Sequence, residues 1–187
     1  MSYDNNNIFA KILRGEIPCD KIYEDNFVLS FANVFRGKWH KNRRSNVRVR
    51  KKKKMSYDDN NIFAKILRGE IPCNKIYEDD FVLSFHDINP QKKIHALVIP
   101  KGKYLDLDDF SLNASPEEIV GLIKGINIVA KKLGISTEVG QGYRALANIS
   151  DHGGQEVPHL HFHLFGGERV GKMDKLCFFY ECQFIRS

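Results

Sequence analysis

Residues 1–31 return as residues 55–85, at a constant offset of 54 and with only three differences: Asn5 against Asp59, Asp20 against Asn74, and Asn26 against Asp80. No other feature limits the chain as much, because a segment can fill only one place in a given core. Solenoid repeats come as three or more units with drifting sequences. Two near-identical copies, each opening Met-Ser-Tyr-Asp, read instead as one domain start written twice. The first copy decays after Phe31, where Ala32-Asn33-Val34 stands in place of His86-Asp87-Ile88. With 187 residues there is room for one ordinary domain and a remainder. The expected divisions are a partial duplicate at 1–31, a linker at 32–54, a complete domain at 55–173 and an extension at 174–187.

The remainder also explains the charge. The chain has a formal net charge of +6, which invites a nucleic-acid partner. Residues 32–54 hold eleven Lys or Arg and no acid, so the rest of the chain carries 18 basic against 23 acidic residues. The basic run reads as an arm that neutralises phosphates or as a self-repelling, disordered linker. The linker is favoured, since the run follows a broken copy and Phe35 and Trp39 are too few to make a stacking platform. A nucleic-acid partner through 32–54 is therefore a secondary expectation. No apolar run is long enough for a membrane helix, so no membrane partner is expected. The polar N-terminus shows no secretory signal. Cys19, Cys73, Cys177 and Cys182 show neither Cys-x-x-Cys nor finger-type His spacing, so they read as reduced thiols of a cytoplasmic protein.

From Met55 the pattern is α+β. Asn61 caps a short helix over Ile62–Arg68, stopped by Gly69. Strands are expected at Lys75–Glu78, Phe81–Ile88, Ile94–Ile99, Tyr143–Ile149 and Val157–Phe165. Ser115, Pro116 and Glu118 form a capping box for a long helix reaching Leu133, with Ile119, Leu122, Ile123, Ile126, Val129 and Leu133 on its core face. The fold class is thus α+β: a five-stranded antiparallel sheet with one long and one short helix, preceded by the duplicated segment.

The chemistry concentrates in Pro158-His159-Leu160-His161-Phe162-His163-Leu164-Phe165. A strand has period two, so the three imidazoles share one face and the apolar residues the other. Imidazoles about 7 Å apart line up beside an extended anion. Two chemistries fit. Phosphate chemistry is favoured, because no Asp, Glu or Cys shares the strand. Metal binding is the rival, with Asp151 and Glu156 as nearby ligands.

This run resembles the signature of the histidine-triad (HIT) family, His-φ-His-φ-His-φ-φ with φ apolar. Phe85-His86-Asp87-Ile88-Asn89-Pro90, His95, Leu97-Val98-Ile99-Pro100-Lys101, Gly142-Tyr143-Arg144, Asn148, Gly153-Gly154-Gln155 and Gly166-Gly167 extend the likeness over about residues 60–173. It is most similar to the Hint branch of nucleoside phosphoramidate hydrolases, since His163 stands where the nucleotidyltransferase branch looks like Gln.

The resemblance implies a HIT-like fold, a homodimer, a purine nucleotide substrate, no cofactor and no metal. It implies His161 as the nucleophile on an α-phosphate, His163 and the Gly153-Gly154-Gln155 amides as donors to the phosphoryl oxygens, and His159 and His95 as a supporting relay. Asp87 would bind the ribose hydroxyls, Ile62, Phe63, Phe85, His86 and Ile88 the base, and Asn148 the phosphate region. The implied activity is hydrolysis through a nucleotidyl-histidine, with a dinucleoside polyphosphate hydrolase or a nucleotide- or nucleic-acid-binding module as alternatives. Two residues depart from the pattern. Glu156 replaces the Ser usual after Gln155, which suggests a cationic leaving group if its carboxylate faces the site. Lys103-Tyr104 replaces a His often found after the Pro-Lys block.

Overall fold

The computed structural model describes residues 4–19, 21–31 and 56–171; the expected basic linker at 32–54 and the extension at 174–187 lie outside the described residues. The chain divides into two units, Met1–Lys52 and Lys53–Ser187. In the first, Asn7 caps α1 (Ile8–Leu13), and β1 (Lys21–Glu24) pairs antiparallel with β2 (Leu29–Phe31) across a bulge.

The second unit opens with the same local structure, because the same residues supply the same cap and turn. Asn61 accepts from the Ala64 amide at 2.9 Å and starts α2 (Ile62–Leu67). The Asp79 carboxylate accepts from the Phe81 and Val82 amides, turning β3 (Lys75–Glu78) into β4 (Val82–His86). The chain continues through β5 (Ile94–Pro100), α3 (Leu107–Asn113), α4 (Pro116–Lys132), β6 (Arg144–Leu146), α5 (Ser150–Gly153) and β7 (Phe162–Gly166). The antiparallel sheet has the order β3-β4-β5-β7-β6. The α+β, five-stranded expectation holds. The short helices α3 and α5 were not anticipated, since neither carries an apolar periodicity long enough to read.

Two apolar clusters sit on opposite faces of the sheet. On one face Val82, Ala96, Val98 and Leu164 pack with Leu122, Ile126 and Val129 of α4. The capping box of Ser115 and Glu118 forms as expected. Ile119 and Ile123, expected in the core, are exposed instead. The buried stripe of α4 includes Gly121 and Gly125, which lets the helix lie close on β4 and turns the two isoleucines outward. On the other face Phe63 of α2 packs with Leu83, Phe85, Leu97 and Ile99. This second cluster floors the site.

The fifth strand is shorter than its alternation suggests. β5 and β7 pair with Val98 opposite Phe162, a register that would set Pro100 against Leu160. Pro100 has no N–H to give, and the Leu160 amide donates to the Tyr104 carbonyl at 2.7 Å instead. His159 and His161 therefore lie in an extended lead-in, and His163 alone of the three lies in the strand. The alternation itself survives, with Leu160, Phe162 and Leu164 all facing α4. No helix among the described residues is long and apolar enough to cross a membrane.

Candidate active site

A cavity of about 340 Å³ opens on the face of the sheet covered by α2. Its wall is apolar: Ile62, Phe63 and Ile66 from α2, Phe85 from β4, Leu97 from β5, and Val157. Its far end is polar, formed by His95, His161, His163 and Asp87. His86, Ile88, Asn148, Gly154 and Glu156 complete the lining, with Asn89 and Gln91 beside them. An apolar bed with a few convergent polar groups is the ordinary form of a small-molecule site.

Strand geometry places the histidines. Leu97 stands opposite His163 across β5 and β7, so His95 is diagonal to it on the same face. The His95 and His163 rings meet with Nε2 and Nδ1 2.9 Å apart. The His161 and His163 ring centres are 4.9 Å apart, and Phe63 stands edge-on to His161 at 5.1 Å.

The protons can be assigned from their partners, because a carbonyl oxygen only accepts. His161 Nδ1–H donates to the His159 carbonyl at 2.7 Å, so the neutral ring holds its lone pair at Nε2. His95 Nε2 and His163 Nδ1 share one proton between them, with the Gln91 amide 3.4 Å from His95 Nδ1 and the Asn89 backbone also bonded to that ring. His163 Nε2 is enclosed and has no protein partner. Burial, the largest influence, keeps these rings neutral. It pushes His163 down to about 4, aided by His161 and His95 and opposed by Asp87. His161 is also lowered by burial, against the His159 carbonyl, Asp87 and Glu156. His95 is lowered by burial, against Asp87 and the Asn89 backbone. The Asp87 carboxylate lies 3.5 Å from His95 Nε2.

Other expected residues fall in different places. The His159 ring is fully buried and outside the cavity lining; its Nε2–H donates to the Pro100 carbonyl at 3.0 Å. Its carbonyl, not its ring, meets His161. Gln155 also lies outside the lining. Its amide nitrogen donates to the Leu105 and Val157 carbonyls and its oxygen accepts from the Ser150 amide, so it braces the loop. Asn148 Nδ2 donates to the Gly154 carbonyl at 3.4 Å. Ile88 and Glu156 sit at the exposed rim. Asp87, His95 and His163 bring one ligand atom each within 4.8 Å of one another, the metal-capable group among the described residues; Asp151 and Glu156 are outside it.

Sequence reasoning missed Ile66, Leu97, Val157, Asn89, Gln91 and Tyr57. Leu97 was within reach, since it lies two residues from His95 in one strand. Tyr57 was not. Its hydroxyl reaches His159 Nδ1 across 102 residues of sequence, at 2.5 Å.

The HIT domain family model matches residues 68–170. An uncharacterized 13.2 kDa HIT-like protein of Azospirillum brasilense is 53% identical over 118 residues, covering 63% of this chain and 94% of that one. The purine nucleoside phosphoramidase of Escherichia coli K12 is 42% identical over 113 residues, covering 60% of this chain and 91% of that one. Among solved structures, a histidine triad protein from Clostridium difficile matches with a TM-score of 0.55 and 40% identity, over 63% of this chain and 98% of that one. A HIT family hydrolase from Legionella pneumophila Philadelphia 1 matches with a TM-score of 0.55 and 37% identity, over 60% and 96%. With the family model matching more than half of its length and relatives of 42–53% identity covered almost end to end, the chain belongs to the histidine-triad (HIT) family.

Proposed function

We propose that this protein is a nucleotide hydrolase that cleaves purine nucleoside phosphoramidates, or related nucleoside monophosphate derivatives, through a nucleotidyl-histidine intermediate. One observation carries the reading: His161 is buried and neutral, and its Nδ1–H is committed to a backbone carbonyl, which leaves the Nε2 lone pair on the cavity side. A neutral imidazole attacks phosphorus without a separate base.

In the first step His161 Nε2 bonds to the α-phosphorus and the phosphorus–nitrogen bond to the leaving amine breaks. In the second, water bonds to phosphorus, the bond to His161 breaks, and the nucleoside monophosphate leaves. Two easier displacements replace one hard one. Negative charge grows on the phosphoryl oxygens, where fixed donors count most. His163, held from behind by His95 and with no protein partner at Nε2, would donate from that nitrogen. Asp87 would accept from the ribose hydroxyls, and Ile62, Phe63, Ile66 and Phe85 would bed the base. Glu156 at the rim would favour a cationic leaving group. The chemistry needs no metal or cofactor.

The name of the Escherichia coli relative supports the substrate class. A homodimer fits the exposed Val120 and Ile123 of α4 and the edge position of β6. A cytoplasmic setting fits the free thiols of Cys19 and Cys73.

Trapping tests the reading. Mixed with adenosine phosphoramidate and quenched, the protein gains the mass of one nucleotidyl group, and His161→Ala loses both adduct and turnover, by on the order of 10³-fold or more. A His161→Ala protein as active as its parent overturns the mechanism. A faster rate on a diadenosine polyphosphate would reassign the substrate.

A further inference from the structure

Tyr57 lies outside the cavity lining, yet it touches the histidine cluster from behind. Its hydroxyl is 2.5 Å from His159 Nδ1, and its ring stands edge-on to the same imidazole at 5.6 Å. His159 Nε2 must donate, because its partner is the Pro100 carbonyl. Burial holds the His159 ring neutral, down to about 4, so Nδ1 is a lone pair and the Tyr57 hydroxyl must donate to it. His159 is fully buried, so its Nδ1 depends on a protein donor.

The consequence reaches His161 through one peptide group. The His159 carbonyl accepts from His161 Nδ1–H at 2.7 Å, while the Leu160 amide of the same peptide donates to the Tyr104 carbonyl at 2.7 Å. The plane is held on both sides, and the third restraint on it is the seat of the His159 ring. Resting on the hydrolase reading above, we propose that Tyr57 is a positioning residue. By donating to His159 Nδ1 it fixes which nitrogen of His159 carries the proton and where that residue sits. The His159 carbonyl then holds His161 with its Nε2 lone pair toward the substrate.

Loss of the hydroxyl leaves two poor choices. The present tautomer keeps an unsatisfied buried lone pair. The other turns a lone pair on Nε2 toward the Pro100 carbonyl oxygen. Either is relieved by rotating the ring, which tilts the 159–160 peptide and loosens the hold on His161.

The test uses the full chain with ¹⁵N-labelled histidine and Tyr57→Phe. Near pH 7 the parent should show His159 protonated at Nε2 with a hydrogen-bonded Nδ1, and His161 protonated at Nδ1 alone. In Tyr57→Phe the His159 Nδ1 resonance should move to its unbonded position, and His161 should become a mixture of tautomers. Turnover of adenosine phosphoramidate should fall about tenfold in kcat with KM within twofold, as for other partners that orient functional histidines from outside the site. An unchanged His161 ring spectrum with kcat within twofold overturns the proposal. If Tyr57→Phe does not fold, 3-fluorotyrosine at position 57 keeps the shape and makes the phenol a stronger donor. It should shift the His159 Nδ1 resonance toward the protonated form, and an unmoved resonance overturns the proposal. A parent that turns over no phosphoramidate would defeat the hydrolase reading alone, because the ring spectra decide the role of Tyr57 without substrate.

Discussion

Among the three clustered histidines, backbone partners rather than residue type divide the labour. His161 Nδ1–H donates to a carbonyl and leaves the Nε2 lone pair free, whereas His163 spends its Nδ1 on His95 and keeps Nε2 without a protein partner. The division sets a pH response. The His161 pKa lies below the ordinary imidazole value of 6.5, through burial first. The neutral, attacking form therefore persists as pH falls through 6.5, and the acid limb of kcat/KM should lie below that value. Asp87 and Glu156 raise the His161 pKa through their charge, so Glu156→Gln should move the limb to still lower pH. A profile breaking at or above 6.5, or one that Glu156→Gln moves upward, would contradict this. Much of the arrangement was legible in the sequence, because period two in a strand assigns faces without any knowledge of the fold. What the sequence could not convey was the division between ring and carbonyl at His159. That depends on Pro100 and Tyr57, each distant in the chain, and no motif pairs either of them with His159.

Helix α4 illustrates the same limit one level up. Its caps were readable from Ser115, Pro116 and Glu118, since those interactions are local. Its buried face was misjudged by the apolar residues alone. Glycine costs a helix interior about 1 kcal/mol relative to alanine, yet Gly121 and Gly125 both face the sheet. A Cβ at Gly125 would lie 2.7 Å from a methyl of Val82, a fully buried, β-branched side chain with nowhere to go. Gly125→Ala should therefore destabilise the protein by about 1–3 kcal/mol, overpacking outweighing the better propensity. Urea unfolding measures it, and a variant more stable than the parent would show that α4 does not need the close approach. The shortened β7 has a comparable cause, for its ladder stops where the partner strand presents a proline.

At the scale of the whole chain, the net charge of +6 belongs to residues 32–54; Met55–Met173 counts 13 basic against 16 acidic residues. A protein begun at Met55 should fold and match the full chain in turnover and thermal midpoint. An insoluble or inactive product, beside an active full chain, would show that residues 1–54 take part. The fold class was readable because most elements announce their own caps and turns, whereas the strand order β3-β4-β5-β7-β6 rests on pairings between distant segments that no local signal carries. One consequence of the repeated opening remains. Phe63 is 6% exposed and Val82 0%, while their twins Phe9 and Val28 are 61% and 53% exposed. The chain thus carries its own matched control: the same words in two settings, translated and assayed together. A scan of substitutions across both copies would separate what a residue contributes by intrinsic propensity from what its neighbours confer, with expression, solvent and temperature identical for each pair.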